Sequence, residues 1–288
     1  MTASGDHLQL SERSEAVHRS DGSAVTGLRP LTPRSVVLSV LLGSRPPELP
    51  VAALVEFTSL FDITPGACRT ALSRMVATGE LDSDDGIYRL GEGLHERRRQ
   101  QESGRLPAPA TWDGTWWFAT VVAERRSTAE RRAHRSRMSG ARFGELRPDT
   151  WLRPANLPAP DGVALLTRGP IVAGDEDELV RRLWDLDALD ERADTLRSEL
   201  EHVAEGLSGG DQPSGRGVAD HRGDAGHDAG LADAFVVLAA ALRHLRREPQ
   251  LPTPLAPSDR PDRLRTTYAD VERRFQAALA GFYDRRGV

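Results

Sequence analysis

Between Thr64 and Leu81 the chain carries a short helix with its own start signal, its own stop signal and two unlike faces. Thr64 suits the N-cap, because its hydroxyl accepts from backbone N–H groups one turn in. Pro65 suits the first helical position, where a missing N–H costs nothing. Ala67, Ala71, Leu72, Met75 and Val76 recur at helical spacing and predict the packed face. Arg69, Thr70, Ser73 and Arg74 fall mostly on the other face, and Gly79 is placed to end the helix in a left-handed conformation. Such a front suits a DNA major groove, with long donors for guanine edges and short hydroxyls for phosphate or base contact. An ordinary amphipathic helix with solvated arginines has the same pattern, so the neighbouring segments decide.

Upstream, Pro33 to Leu42 predicts an apolar helix and Leu49 to Phe61 a second, with Asp62-Ile63 as a tight connection into the third. Downstream, Glu80-Leu81, a turn at Ser83 to Gly86, and Ile87 to Leu90 predict a two-stranded hairpin. Three helices and a hairpin give the winged-helix order, whose second and third helices form the helix-turn-helix. The candidate DNA contacts are Arg34, Thr64, Arg69, Thr70, Ser73 and Arg74. The helix start at Thr64 adds backbone N–H groups that suit a phosphate.

With 288 residues the chain has room for two or three domains, and 39% hydrophobic content supports packed cores. Its longest apolar runs, such as Phe235 to Leu242, are far shorter than the roughly 20 residues a membrane helix needs. No basic start leading into an apolar run marks a secretory leader, and a cytoplasmic location is expected. Cys68 is the sole cysteine, which excludes an internal disulfide and a multi-cysteine zinc site. The net charge is −5, yet between Ala123 and Arg153 there are nine Arg against four Asp and Glu. All 38 basic residues are Arg, a residue that holds phosphate or carboxylate in a bidentate fork where Lys cannot.

Residues 1–29 are polar and aperiodic and predict a disordered tail. Residues 30–101 hold the winged helix and a short charged exit helix, Leu94 to Gln101, and 102–111 a Pro-containing linker. Residues 112–185 predict strands at Trp116 to Glu124, Asp149 to Arg153 and Gly162 to Leu166, with Ile171-Val172 as a further short one. Helices are expected there at Ser127 to Met138 and Asp175 to Trp184. This order suggests a ferredoxin-like split βαβ sheet. Residues 186–288 are mostly helical: Leu189 to Gly206, Leu231 to Glu248 and Asp262 to Tyr283. In the last, Leu264, Tyr268, Val271, Phe275, Leu279 and Phe282 form one apolar face. A Gly-, Asp- and His-rich stretch, 208–230, reads as a flexible insertion. Its His221, Asp224, His227 and Asp228 are too loosely spaced to predict a metal site. The expected fold class is α+β: a winged helix-turn-helix, a ferredoxin-like middle domain and a helical C-terminal domain.

The run Arg69-Thr70-Ala71-Leu72-Ser73-Arg74-Met75-Val76-Ala77-x-Gly79-x-Leu81, followed by Tyr88-Arg89-Leu90, resembles the PaaX family of transcriptional repressors. Three later stretches agree, in the family's order: Trp112-Asp113-Gly114-x-Trp116, Phe143-Gly144-x-Leu146-x-Pro148-x-x-Trp151-x-Arg153-Pro154, and Glu248-Pro249-x-Leu251-Pro252-x-x-Leu255-x-Pro257. The resemblance spans about residues 30 to 285. It implies a homodimeric repressor of phenylacetate or related aromatic-acid catabolism, with a palindromic double-stranded DNA operator. It also implies a Cas2-like middle domain and an aryl-CoA effector such as phenylacetyl-CoA or another acyl-CoA. Two departures stand out. Asp82, Asp84 and Asp85 occupy a wing tip that is commonly basic, and Arg260 stands where the family usually has Trp before Pro261.

An acyl-CoA needs an apolar slot and cations for its phosphates. Arg125, Arg126 and Arg132 are the candidate phosphate partners, and Trp116, Trp151 and Trp184 the candidate ring-pocket residues. The same arginines suit an extended DNA footprint or a solvated face, and the tryptophans suit a core. No nucleophile elbow, Walker loop, dinucleotide glycine run or metal-ligand pair is present, so no catalytic residue, metal or cofactor is expected. Two alternatives stay open. One is a metal-dependent nucleic-acid enzyme on the Cas2-like domain, with Glu124 its sole candidate carboxylate. The other is a ligand-binding adaptor with weak DNA affinity, suggested by the acidic wing.

Overall fold

Helix α1 (Pro33–Gly43) begins at a reciprocal cap: Thr32 Oγ1 accepts from the Ser35 N–H at 3.2 Å, and Ser35 Oγ accepts from the Thr32 N–H at 2.9 Å. The computed structural model describes residues 31–109, 111–121, 126–160, 165–208, 221–256 and 258–288. The expected N-terminal tail lies outside them. After α1 come β1 (Glu48–Pro50), α2 (Val51–Ser59), α3 (Pro65–Ala77), β2 (Leu81–Asp84) and β3 (Ile87–Leu90). Strand β3 is central and antiparallel to both neighbours, in the order β1-β3-β2. The second helix therefore starts later than its expected Leu49, because Glu48 to Pro50 pair with Arg89 to Ile87. Glu48 and Arg89 sit opposite one another and form an ion pair at 2.6 Å. The hairpin closes on Asp85 and Gly86, both at positive φ, as a two-residue Asp-Gly turn requires.

The expected exit helix is longer than its sequence signal: α4 (His95–Arg105) continues into the first residues of the expected linker. The second sheet contains β4 (Thr115–Thr120), β5 (Gly144–Arg147), β6 (Thr150–Pro154) and β7 (Leu165–Pro170), in the order β5-β6-β4-β7, every neighbour antiparallel. Helix α5 (Thr128–Gly140) links β4 to β5 and starts at a Ser127–Glu130 capping box. Strands β4 and β5 thus run in the same direction with β6 between them.

Several expectations change here. Strand β5 is new, and β4 ends at Thr120, short of the expected Glu124, which lies outside the described residues. The strand expected from Gly162 begins at Leu165, with residues 161–164 also outside the description. Ile171-Val172 forms no strand: Val172 is almost fully exposed and has no strand to pair with among the described residues. Helix α6 (Glu176–Leu183) follows, started by the Asp175 carboxylate, which accepts from two backbone N–H groups.

The rest is α7 (Leu186–Ser208), α8 (His221–Leu245) and α9 (Arg260–Arg286). Helix α8 starts inside the stretch expected to be a flexible insertion, so 221–230 is helical; residues 209–220 lie outside the description. The expected apolar face of α9 is buried at all six positions, Leu264 through Phe282. The chain is thus mixed α/β, with two small antiparallel sheets and a helical C-terminus.

The largest buried cluster runs without a break from α1, α2 and α3 into α7, α8 and α9. Phe57 of α2 meets Phe235 of α8 edge-on at 5.0 Å between ring centroids, and Phe235 meets Phe275 of α9 at 6.2 Å. Each buried Phe contributes about 1.5–3 kcal/mol of hydrophobic stabilisation. Buried polar links tie α4 and the turn before β5 to the end of α8 and the segment after it. Gln250 Nε2 donates to the Ser103 and Leu106 carbonyls at 3.0 and 2.8 Å, and Arg142 Nη1 to the Leu245 carbonyl at 3.1 Å.

Candidate nucleic-acid interface

Helix α3 is fixed at both ends by local chemistry. Thr64 Oγ1 accepts from the Ala67 N–H at 3.3 Å. Pro65 has no N–H, so among the described residues Gly66 supplies the remaining unpaired donor of the first turn. At the other end Gly79 has φ +70°; its N–H donates to the Val76 carbonyl and the Glu80 N–H to the Met75 carbonyl, at 3.0 and 2.9 Å. That is a Schellman stop. Gly91 lies so close against the Gly79 carbonyl that a side chain there has no room. The loop after α3 and the end of β3 are therefore held together.

The buried stripe of α3 is Cys68, Leu72 and Met75, with Ala71 partly covered. The sequence reading put Ala67 and Val76 on this face, but both are exposed, Val76 at 36%. Burial selects positions 68, 72 and 75 because one turn advances 3.6 residues and the contacts to α1 and α2 occupy a narrow arc. Cys68 is fully buried, and desolvation pushes its thiol up, away from the reactive thiolate.

Arg69, Thr70, Ser73 and Arg74 are all exposed, as the sequence predicts. At 100° per residue, Gly66, Thr70, Ser73 and Ala77 form a central ridge of small side chains. Arg69 and Arg74 flank it, about 140° apart around the axis. Neither has an ion-pair partner among the described residues. The Thr70 and Ser73 hydroxyls donate to carbonyls one turn back, Gly66 at 2.8 Å and Arg69 at 3.1 Å, which leaves their lone pairs as acceptors.

Arg34 is differently placed. Its guanidinium grips both oxygens of Glu80, with Nε to Oε2 at 2.8 Å, and holds that carboxyl below the usual carboxylate range. A phosphate at Arg34 must compete with Glu80. The carboxylates of Asp82, Asp84 and Asp85 are exposed along the hairpin.

The expected effector residues are not brought together. Trp116 is buried on one face of the second sheet, its Nε1 donating to Glu176 at 2.8 Å; Trp151 is buried on the opposite face beside Met138 and Phe143. The sheet separates the two rings, because Trp116 and Trp151 sit on strands at positions that point to opposite sides. Trp184 packs against the Trp116 side. Arg126 is ion-paired with Asp149, Arg132 is exposed on α5, and Arg125 lies outside the described residues. Glu124 does too, and among the described residues no group of three or more His, Cys, Asp or Glu is placed to hold a metal.

The family model for PaaX-like proteins matches residues 32–94, the stretch that carries α3 and both hairpin strands. Among solved structures the chain is similar to the uncharacterized protein Rv0674 from Mycobacterium tuberculosis. The two are 30% identical over 87% of this chain and 98% of that one, with a TM-score of 0.63. The chain belongs to the PaaX-like family. No curated protein matches it. Membership in the PaaX-like family points to transcriptional regulation rather than catalysis. Among the described residues, no helix of this PaaX-like protein is long and apolar enough to cross a membrane.

Proposed function

We propose that the chain is a sequence-specific DNA-binding transcriptional regulator, a repressor of an aromatic-acid or acyl-CoA catabolic operon released by a CoA thioester or related effector. The observation that carries this reading is the exposed face of α3, a small-residue ridge flanked by two unpaired arginines. In this reading residues 30–101 are a winged helix-turn-helix, with α3 in the major groove and β2–β3 as the wing. A low ridge lets the helix backbone approach the base edges, while Arg69 and Arg74 reach guanine or phosphate on either side. Val76 adds an apolar contact of the kind that suits a thymine methyl.

Residues 112–185 are read as the ferredoxin-like unit and 186–288 as the helical unit. The sheet order β5-β6-β4-β7 supports the former. Its departure is that the second helix follows β7 instead of preceding it. The functional unit is a cytoplasmic homodimer on a palindromic operator, with half-sites roughly 10 bp or a multiple apart.

The test is binding of the full chain to its own upstream DNA and to scrambled DNA, read by fluorescence anisotropy at near-physiological salt. A preference of about 10³ or more for its own DNA is expected of a specific regulator. Equal, weak and salt-sensitive binding to both would instead favour a ligand-binding adaptor, the reading suggested by the three exposed wing carboxylates.

A further inference from the structure

Four helices that are distant in sequence wall one cavity of about 110 Å³: α1, α4, α8 and α9. Its apolar side comes from Val40 of α1, Phe235 and Leu238 of α8, and Phe275 and Leu279 of α9. Its polar side is unusually cationic, with Arg97 and Arg105 of α4, Arg243 of α8 and Arg246 just beyond it. One lining carboxylate offsets them, Glu272, which accepts from Arg105 at 2.5 Å and from the Tyr268 hydroxyl at 3.1 Å, while Glu80, outside the lining, also acts on Arg97. Arg97 and Arg243 have no ion-pair partner among the described residues. Burial, together with Arg97, Arg247 and Arg243 nearby, holds the Arg246 guanidinium below its ordinary value. A cluster of cations that destabilise one another is a site that favours an anion.

Three polar atoms on the residues of this wall are buried and lack hydrogen bonds among the described residues: Gln101 Oε1, Arg105 Nε and Arg246 Nε. Gln101 as a whole is only 8% exposed. Unpaired buried polar atoms are rare and costly in folded proteins, and their concentration on one cavity wall calls for a ligand that satisfies them. The guanidinium donors suit a carboxylate. The Gln101 amide accepts from a ligand hydroxyl as it stands, or donates to the carboxylate with its ends exchanged. The apolar volume sets the size of the rest. A cavity of roughly 150 Å³ accommodates benzene, so this one, which is not fully enclosed, takes a single ring or a short branched chain.

We infer that the cavity between α1, α4, α8 and α9 binds a small organic acid, its ring-sized apolar body against Phe235, Phe275 and Leu279 and its carboxylate among Arg97, Arg243 and Arg246. The consequence for DNA rests on the regulator reading. Helix α1 packs directly on α3, so a ligand that draws α1 toward α8 and α9 alters where the reading helix points. The binding itself does not rest on that reading.

The experiment uses the full chain without DNA. Thermal shift and calorimetric titration are run with benzoate, 4-hydroxybenzoate, cyclohexanecarboxylate and 3-methylbutanoate, with neutral benzamide and benzoyl-CoA as contrasts. At least one free acid is expected to bind, and benzamide to bind at least tenfold more weakly. Arg243→Gln and Arg97→Gln, both at exposed positions, are each expected to weaken that acid about tenfold or more. Ala239→Leu, which fills the cavity, is expected to abolish binding while the variant stays folded. No binding by any acid, equal binding of benzoate and benzamide, binding of benzoyl-CoA alone, or full affinity in Ala239→Leu would each overturn the inference. Specific operator binding by the ligand-free chain is read separately, so failure of the cavity and failure of the regulator reading give different results.

Discussion

Arg265 of α9 and Glu248, just beyond α8, form an ion pair in which each side chain is only 6% exposed. Glu248 also accepts from the Gln250 N–H at 2.9 Å, and Arg265 has a second, exposed partner in Asp262 at 2.8 Å. Such a pair stabilises little by existing, since desolvation offsets attraction, but breaking it strands a buried charge. Glu248→Gln is therefore expected to cost about 3 kcal/mol or more of stability. Asp262→Asn, at a carboxylate that is 62% exposed, is expected to cost under about 1 kcal/mol. Urea denaturation of the two variants checks the contrast; equal losses would show that the buried pair is not the one that matters.

Arg69→Ala and Arg74→Ala should each weaken binding to specific DNA by about 1–3 kcal/mol if they reach base edges. Both residues are exposed and unpaired among the described residues, so melting temperature should hardly move. Anisotropy titrations on the protein's own upstream DNA measure the effect. Unchanged affinity in both variants would remove this face of α3 from the interface.

The β2–β3 hairpin, the wing of the proposed reading, carries Asp82, Asp84 and Asp85, all exposed. If it lies near the sugar-phosphate backbone, replacing all three by Asn removes repulsion. Affinity for any duplex should then rise, with a larger gain at low salt. A triple variant that matches the parent at every salt concentration would place the wing away from DNA.

His244 on α8 is pushed down to about 4 from an ordinary 6.5, first by burial and then by Arg192 and Arg265. Its Nε2 has no hydrogen-bond partner among the described residues. The unfolded chain takes up the proton near pH 6.5 while the folded chain resists it until about 4. This group's contribution to stability is therefore full above pH 6.5, and falls as the pH drops toward 4, by at most about 3 kcal/mol. Melting temperature against pH should fall less steeply in His244→Phe than in the parent across that window. Parallel curves would refute the assignment.

Local signals carried much of the fold. The start and stop of α3 were legible because Thr64, Pro65 and Gly79 act within one turn of their own positions. The face of α9 was legible because six apolar residues recur over 27 helical residues. Strand β1 was not, since three residues ending in Pro have no measurable period and owe their pairing to β3. The side of α3 that Val76 occupies depends on where α1 and α2 press, which no propensity encodes. The arginines of the α4–α8 cavity could not be grouped from sequence either. Arg97 and Arg243 are neighbours only because the helices that carry them pack together.

The relay of rings from Phe57 through Phe235 to Phe275 makes α1–α3 and the C-terminal helices one piece of oil. A fragment cut after the hairpin would turn this seam outward and invite self-association. It follows that damage far along the chain, in α8 or α9, would disturb α3 without touching it, and that α1–α3 are inherited and lost together with their tail.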